Sequence, residues 1–341
     1  MKQIYQELFI NVWKRKMISV NELRNKLPQD FIEEINSIYT TNYVDKILSG
    51  MTDKRLTTIR ANTIKITIQE LMNYLKENNI KYDRVLWYED ALIIKNANEK
   101  DLMKLEWFDQ GKFYMQSLSS MVPALVLNPK PNETILDMTA APGSKTSQIA
   151  MLMGNQGKIV ANELDKLRFE RLKYNIDKQG ATIVESINYR GESLWKRYPE
   201  TFDKILLDAP CSGEGRFIGT SPETYKNWYL KDVSKCSSLQ KKLIKSAFLS
   251  LKRGGVLVYS TCTLNLAEDE EVLNYALDNF NLELMDIDLK ISSSIKAKTD
   301  NNDIMIYNDS EYFYNKSIEK AIRIIPSKLM EGFFVAKLKK K

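Results

Sequence analysis

The sequence contains no histidine, and this absence removes several common kinds of active site. Catalysis by a Ser-His-Asp triad or by a Cys-His pair is excluded, and so is a metal centre with imidazole ligands. Any proton transfer must therefore use carboxylates, lysine, cysteine or tyrosine.

Cysteine is also scarce, and the chain has three: Cys211, Cys236 and Cys262. They show no Cys-x-x-Cys spacing, and an odd number cannot all pair. Neither a zinc site nor a disulfide framework is indicated. We therefore predict that the protein holds no metal.

Long apolar runs are missing as well. The longest ones have the length of buried strands, far below the roughly 20 residues that a membrane span requires. The first segment, MKQIYQELFINVWKRK, alternates charged and apolar residues and lacks the apolar core of a secretory signal. The prediction is a cytoplasmic protein with no membrane segment.

The residues that are present suit a soluble globular protein of 341 residues, with 43% hydrophobic and 28% charged content. That length corresponds to about two domains. Lysine and arginine number 50 against 44 acidic residues, which gives a net charge of +6. This mild excess permits a polyanionic partner such as RNA without demonstrating one. We expect a monomer.

Residues 1–115 are predicted to form a first domain. The helical spacing of Ile4, Leu8 and Val12 indicates helices within residues 1–55. Beyond them, strand and helix patterns mix, with strands at 56–60, 82–87 and 91–95 and helices at 68–78 and 99–108. Such mixing within a short stretch predicts a small α+β domain.

Residues 116–341 are predicted to form a second domain, in which strands and helices alternate. The predicted strands are 134–137, 158–162, 182–187, 204–208, 256–260, 282–287, 321–325 and 333–338. The predicted helices are 146–153, 167–179, 233–251 and 268–279. This alternation predicts an α/β fold with a mainly parallel sheet, which binds ligands outside the carboxyl ends of its strands.

A loop of small residues follows the first strand of this sheet. Asp137 ends the strand, and small residues with Pro142 and Gly143 lead into a helix. Such a turn lets the backbone approach a ligand, and the free N–H groups of the first helical turn point towards it. Glu163, at the tip of the next strand, is placed to accept from ribose hydroxyls. The sequence therefore predicts a nucleoside-cofactor site.

Two of the cysteines follow the ends of buried strands in this same sheet. Asp208 ends one strand and Cys211 follows it after Ala-Pro, while Cys262 comes directly after another strand. Because the carboxyl ends of parallel strands meet at one edge, we expect both thiols beside the cofactor loop. Cys236 falls within a helical stretch, and we interpret it as an inert buried residue.

Thiolates beside an acid and a nucleoside cofactor suit methylation of a pyrimidine at C5. A thiolate that adds to C6 makes C5 nucleophilic towards an activated methyl group, after which a base removes the C5 proton and the thiolate leaves. Asp208 is expected near ring N3, where it favours the addition. Lys145 is expected to lower a thiol pKa or to orient the base. A thiolate, a carboxylate or water can serve as the base, and these residues alone do not rank the two cysteines.

Four motifs occur in the order TAAPGSKT, NELDKLR, LLDAPCSGEG and YSTCTLN. They resemble the motifs of the Sun/Nop-type RNA 5-methylcytosine methyltransferases over roughly residues 113–338. The resemblance implies a Rossmann-like class I methyltransferase sheet with an antiparallel last strand, S-adenosylmethionine as cofactor and RNA as substrate. Transfer RNA and ribosomal RNA are both open, and the short chain mildly favours transfer RNA. RNA contact is then expected from residues 1–115.

The resemblance also assigns roles to residues. It implies Cys262 as the nucleophile, Cys211 as the thiol that aids product release, and Glu163 as the ribose-binding acid with Arg168 nearby. The cofactor loop is implied to comprise Thr139, Ala140, Ala141, Pro142, Gly143, Ser144 and Lys145. Lys145 and Asp208 are expected to serve both the cofactor and the chemistry. DNA cytosine-5 methyltransferases use the cysteine of a Pro-Cys motif instead, so the choice of Cys262 depends on this resemblance.

One motif departs from the family pattern. The family usually has an aspartate after the third strand to hold the adenine amino group, and Asn188 in INYRGE occupies that position. Its amide oxygen is expected to accept from the adenine amine. The departure motivates a rival hypothesis, a non-catalytic RNA-binding assembly factor on a methyltransferase fold. A dehydrogenase of the NAD type shares the sheet but leaves both cysteines unexplained.

Overall fold

The computed structural model describes residues 18–289, 291, 294–296 and 315–341. The helix prediction for Ile4, Leu8 and Val12 lies outside these residues. Three short helices open the described part of the chain: α1 (Val20–Arg24), α2 (Gln29–Ile38) and α3 (Thr41–Met51).

These helices pack against loops that come much later in the chain. In α2 the side chains of Phe31, Ile35 and Ile38 are buried on one face. The Phe31 ring lies 5.0 Å from the Phe217 ring and 5.8 Å from the Trp228 ring, both edge-on. The apolar face of α2 therefore covers loops that connect strands of the large sheet.

A small antiparallel sheet follows. Its elements are β1 (Thr58–Ala61), α4 (Ile68–Glu77), β2 (Tyr82–Arg84), β3 (Ala91–Ile94), α5 (Glu99–Leu102), α6 (Glu106–Asp109) and β4 (Phe113–Met115). The strand order is β2-β3-β1-β4, and every pairing is antiparallel. Strands and helices thus mix here as expected for a small α+β unit.

Two predictions in this region were wrong in detail. The predicted strand 82–87 ends at Arg84, because the chain turns where the Tyr88 N–H donates to the Val85 carbonyl over 3.3 Å. The predicted helix 99–108 is two separate helices, because Leu105 has an extended backbone with ψ 134°. An extended residue cannot continue the i to i−4 ladder.

The large sheet has nine strands within the described residues. They are β5 (Thr134–Asp137), β6 (Lys158–Asn162), β7 (Val184–Ile187), β8 (Phe202–Asp208), β9 (Leu251–Thr261), β10 (Leu282–Met285), β11 (Ser294–Lys296), β12 (Ile322–Ile324) and β13 (Phe333–Lys340). The order is β11-β12-β13-β9-β8-β5-β6-β7, with β10 paired to β13. Strands β5 to β9 are mutually parallel, while β13 runs antiparallel to β9. This confirms the predicted Rossmann-like sheet.

The strand order reverses between β5 and β8. From β5 the chain builds outwards through β6 and β7, then returns to place β8 and β9 on the other side. The loops that leave the carboxyl ends of β5 and β8 therefore diverge and open a crevice between them.

Helices cover both faces of the large sheet. They are α7 (Leu118–Leu127), α8 (Ser144–Leu152), α9 (Lys166–Gln179), α10 (Leu230–Ser250) and α11 (Glu270–Asn279). Buried residues of α7, α8 and α9 form one core with the sheet, and those of α10 and α11 form a second core on the opposite face. Two hydrophobic layers thus fix the strand ends that carry the site.

Two predicted helix boundaries in the second half of the chain also differ from those in the structure. The predicted helix 233–251 stops at Ser250, because Leu251 already pairs with Phe202 in the sheet. The predicted helix 268–279 begins at Glu270, because Leu266–Glu268 forms a separate 3₁₀ turn.

Candidate active site

A cavity of about 1680 Å³ opens at the carboxyl edge of the parallel strands. The predicted site residues that line it are Thr139, Ala140, Ala141, Pro142, Ser144, Lys145, Glu163, Arg168, Asp208, Cys211 and Cys262. Tyr114 and Met115 at the end of the small sheet line the same cavity. The structure therefore brings the expected cofactor loop and both cysteines into one space, whereas Gly143 and Asn188 are not part of the lining.

Gly143 determines the backbone conformation of the loop without lining the cavity. Its φ is 101°, which lies in the left-handed region, and a Cβ there would lie 3.1 Å from a methyl carbon of Leu172. The Gly143 N–H donates to the Ala140 carbonyl over 2.8 Å, and α8 begins at the next residue. The first turn of α8, which has N–H groups without a partner inside the helix, thus begins at the cavity that Ser144 and Lys145 line.

Glu163 lies at the tip of β6 and is 5% exposed. One of its carboxylate oxygens accepts from the Asp165 N–H over 3.0 Å, and the other accepts no hydrogen bond from any described residue. The Arg168 guanidinium lies 3.5 Å from that second oxygen and donates to the Ala141 carbonyl over 2.9 Å. A buried carboxylate oxygen without a donor fits a ligand that supplies hydroxyl groups.

Asp137 repeats this arrangement at the end of β5. It is 1% exposed, and its Oδ2 accepts from the Thr146 hydroxyl over 2.6 Å. Its Oδ1 has no donor among the described residues, and burial raises the pKa of this carboxyl to about 7. The sequence showed an acid at this strand end, but we did not assign it to the site.

Asn188 makes two hydrogen bonds to backbone carbonyls. Its amide nitrogen donates to the backbone carbonyls of Glu163 over 2.6 Å and of Leu164 over 2.8 Å. The side chain thus holds the turn after β6 in place. Leu164 and Leu167, both more than half exposed, line the cavity at this end together with Glu192.

Lys145 and Asp208 form an ion pair across the crevice. The Lys145 Nζ lies 2.6 Å from Asp208 Oδ2 and donates to the Ser120 hydroxyl over 2.7 Å. The other oxygen of Asp208 accepts from the Ser260 hydroxyl over 2.7 Å. The lysine is therefore committed to a carboxylate, which favours a role in orienting the acid.

The two strand-end cysteines are in contact. The Sγ atoms of Cys211 and Cys262 are 3.2 Å apart, and the Cys262 N–H donates to the Cys211 sulfur over 3.3 Å. The hydrogen bond to Cys262, followed by burial, raises the pKa of the Cys211 thiol well above its usual range. The Cys211 thiol therefore keeps its proton at neutral pH.

Arg216 is a site residue that sequence reasoning missed. It ends the 3₁₀ turn Glu214–Arg216 and lines the cavity beside Cys262, whose sulfur raises the pKa of the guanidinium. The Gly215 N–H donates to the Cys262 carbonyl over 2.9 Å, which ties this turn to the cysteine. A Cβ on Gly215 would lie 2.0 Å from the Gly332 carbonyl oxygen, so only glycine permits this crossing. In the sequence, the position of this arginine directly after the SGEG segment could have indicated that it belongs to the site.

The third cysteine lies elsewhere. Cys236 is within α10 and does not line the cavity, and burial raises the pKa of its thiol to about 12. No helix in the part of the chain that the structure describes is long and apolar enough to cross a membrane. Those same residues contain no group of three or more cysteine, aspartate or glutamate side chains arranged to hold a metal ion.

The sequence model of the 16S rRNA methyltransferase RsmB/F family matches residues 124–339. The chain belongs to this family. A second model, the ferredoxin-like domain of RsmF/B-like methyltransferases, matches residues 27–100. The resemblance drawn from the four motifs is therefore confirmed.

Two relatives of this chain are both named ribosomal RNA small subunit methyltransferase F. The protein from Shewanella loihica is 39% identical over 253 residues, which covers 72% of this chain and 52% of the relative. The protein from Vibrio atlanticus is 35% identical over 309 residues, which covers 88% of this chain and 65% of the relative. The chain thus spans between about half and two thirds of the length of these family members.

Two solved structures from Pyrococcus horikoshii match nearly the whole chain. A methyltransferase homolog protein superposes with a TM-score of 0.79 at 31% identity, covering 94% of this chain and 98% of its own. NSun6 with SFG superposes with a TM-score of 0.78 at 26% identity, covering 93% and 99%. These similarities confirm the fold class, including the small N-terminal unit before the large sheet.

Proposed function

We propose that this protein transfers a methyl group from S-adenosylmethionine to C5 of a cytosine in ribosomal RNA. The observation that carries the proposal is the contact between Cys211 and Cys262, 3.2 Å apart, in the cavity that the cofactor loop also lines. The names of the two relatives favour ribosomal RNA. We give them more weight than the mild preference for transfer RNA that the chain length suggested.

The residues around the loop fit the donor. The unsatisfied oxygen of Glu163 accepts from a ribose hydroxyl, with Arg168 beside it, and the exposed Leu164 and Leu167 flank the base. When bound, S-adenosylmethionine supplies an electrophilic methyl group. The backbone from Thr139 to Lys145 orients it towards the cysteines.

The chemistry proceeds through Cys262. Its thiolate forms a bond to C6 of the cytosine, and the electron pair of the C5–C6 double bond moves onto the ring towards C5 and N3. As N3 gains electron density it accepts a proton from Asp208, which Lys145 and Ser260 orient and which the Lys145 ammonium reprotonates, and this lowers the cost of the addition. C5 then forms a bond to the methyl carbon as the bond from that carbon to the sulfonium sulfur of the donor breaks, which would leave a neutral thioether.

Release reverses the addition. A base removes the proton from C5, the double bond to C6 reforms, and the sulfur of Cys262 leaves with its electron pair. Cys211 is in contact with that sulfur and assists its departure, because its thiol can donate to the leaving thiolate.

We also propose that residues 1–115 form the RNA-contacting domain and residues 116–341 the methyltransferase domain. Tyr114 and Met115, at the edge of the small sheet, line the cavity opposite the cofactor loop. RNA that reaches the cysteines therefore passes this sheet.

The test is methyl transfer from radiolabelled S-adenosylmethionine to small-subunit ribosomal RNA, with bisulfite sequencing of the product. We expect one or more 5-methylcytosines with wild-type protein and none with Cys262→Ala. Cys236→Ser, which changes a thiol outside the cavity, is the matched control. RNA binding without methyl transfer would instead support the assembly-factor hypothesis and contradict the proposal.

A further inference from the structure

A chain of four oxygens, three of them on buried residues, connects the two cysteine-bearing loops. Glu268 Oε1 contacts the hydroxyl of Ser212, which contacts the hydroxyl of Thr263 over 3.0 Å, which contacts Glu214 Oε2. Ser212 follows Cys211 and Thr263 follows Cys262. The chain therefore links the residues that directly adjoin the two thiols.

The number of protons in this chain decides its charge. It contains three oxygen–oxygen contacts, but the two hydroxyls together supply only two protons. With both carboxyls ionised, one contact would bring two oxygens together with no proton between them. A single additional proton on one carboxyl satisfies all three contacts.

The other hydrogen bonds indicate which carboxyl holds that proton. Both oxygens of Glu214 accept from N–H donors, Trp228 Nε1 over 3.1 Å and the Leu264 N–H over 3.1 Å. At Glu268 the strongest N–H donors, Gln240 Nε2 over 2.8 Å and the Ser212 N–H over 3.1 Å, are on Oε2. Oε1 is therefore the oxygen that can donate to the Ser212 hydroxyl.

Burial and charge agree with this count. Glu214 and Glu268 are at most 1% exposed, and burial raises the pKa of both carboxyls, that of Glu214 to about 7. The guanidinium of Arg323 forms ion pairs with Asp269 and Glu270, at 2.8 and 2.6 Å, rather than with Glu214 or Glu268. The titratable side chains that interact with one or both of these carboxyls are Cys211, Cys236, Tyr39, Tyr259 and Asp269. Each of these that ionises adds negative charge, so the environment favours retention of the proton.

We propose that Glu214 and Glu268 are positioning residues that share one proton and, through Ser212 and Thr263, hold Cys211 and Cys262 at their contact distance. Loss of the proton breaks one link of the chain and leaves two ionised carboxylates beside the thiols. The catalytic consequence rests on the proposed function, whereas the structural consequence does not. Glu268→Gln supplies a permanent N–H donor at the position of the proton.

The first measurement is thermal unfolding of wild type and Glu268→Gln from pH 5 to pH 8. A raised carboxyl pKa contributes stability that is present below the unfolded-state pKa and is lost as pH rises through the raised folded-state pKa of Glu268. As pH rises from 5 through this pKa, we expect the wild-type melting temperature to fall by a few degrees relative to that of Glu268→Gln. At higher pH the two melting temperatures should change in parallel. Parallel curves throughout would overturn the proposal.

Two further variants test the individual links of the chain. Glu214→Gln is expected to lose stability at every pH, because its amide group opposes the N–H of Leu264 or Trp228. Ser212→Ala breaks the chain in the middle, so its melting temperature should lack the extra pH dependence of wild type. An unchanged pH dependence in Ser212→Ala would contradict the chain.

The second measurement reports the thiols without any methyl transfer. Phenylarsine oxide bridges two adjacent thiols with loss of water, so its rate of reaction reports the contact between Cys211 and Cys262. We expect the ratio of wild-type to Glu268→Gln bridging rates to fall severalfold from pH 6 to pH 8, and a constant ratio would refute the positioning role. Neither measurement requires RNA, so both can be interpreted even if the protein does not methylate RNA.

Discussion

At the scale of single residues, the case for a nucleoside ligand depends on two buried carboxylate oxygens. Glu163 Oε2 and Asp137 Oδ1 accept no hydrogen bond from any described residue, although both line the cavity. Folded proteins rarely leave such atoms unsatisfied away from water, so these positions indicate where hydroxyl or amine donors of a ligand bind.

Glu163→Gln tests this directly. The amide keeps the shape of the side chain but can accept only through one oxygen, so we expect S-adenosylmethionine to bind roughly tenfold or more weakly, a loss of about 1–3 kcal/mol. Isothermal titration calorimetry measures the change. Glu170→Gln, an exposed glutamate on α9, is the control and should leave the affinity unchanged.

Arg216 is tested through the reactivity of Cys262. A guanidinium beside a sulfur stabilises the thiolate, which is the form that alkylating agents attack. We expect Arg216→Met to slow alkylation of Cys262 by iodoacetamide at pH 7, as followed by peptide mass spectrometry, and Arg216→Lys to restore part of the rate. Arg253→Met, at an exposed position on β9, should have no effect, and an equal rate in Arg216→Met would contradict the role.

At the scale of elements, helices from the start of the described chain stabilise the loop that carries Cys262. Besides the ring contacts of Phe31, the hydroxyl of Tyr39 donates to the Leu264 carbonyl over 2.6 Å. Leu264 lies two residues beyond Cys262. These early helices thus fix the backbone of the loop that carries Cys262, more than 200 residues later.

Phe31→Ala should weaken this contact strongly. The ring is 1% exposed, and its removal leaves a cavity between α2 and the Phe217 and Trp228 rings. We expect a loss of about 3–5 kcal/mol in the free energy of unfolding, measured with urea. Tyr174→Ala removes an aromatic ring that is 64% exposed and should cost far less. Similar losses in the two variants would show that α2 does not stabilise the fold as described.

At the scale of the whole molecule, Arg60 joins the small sheet to the large one. It lies on β1 with 0% exposure, and its guanidinium donates to Gln116 Oε1 over 2.9 Å and to the Ser147 hydroxyl of α8 over 3.0 Å. Because α8 begins at the cofactor loop, the small sheet is linked to that loop through one buried side chain.

We expect Arg60→Met to lower the free energy of unfolding by about 1–3 kcal/mol, since it leaves buried polar partners unsatisfied. Hydrogen exchange should also rise at the amides of residues 144–147. The exposed Arg84→Met on β2 is the control. Unchanged exchange at the start of α8 would mean that the two sheets are not coupled there.

The sequence predicted the parts of the site that depend on strand ends. Glu163, Asp208, Cys211 and Cys262 lie at or just beyond the ends of buried parallel strands. Such strands end at one edge of the sheet, so the meeting of these residues follows from the pattern. Side-chain direction in irregular turns has no such rule, which is why the bonds of Asn188 to backbone carbonyls were not foreseen.

Contacts between distant segments were equally hidden. The packing of α2 on Phe217 and the crossing of Gly215 over Gly332 join residues that share no periodic pattern. The same holds for Arg216, which a short 3₁₀ turn carries to the thiol. In these places tertiary packing, rather than local propensity, determines the structure.

The central claim is that Cys262 forms a covalent bond to the substrate cytosine while Cys211 assists release. The most direct measurement is denaturing gel electrophoresis of Cys211→Ala after incubation with S-adenosylmethionine and small-subunit ribosomal RNA. The account predicts a slowly migrating protein–RNA adduct with Cys211→Ala that is absent from Cys262→Ala and from the double variant. An adduct that forms with Cys262→Ala, or that persists in the double variant, would contradict it.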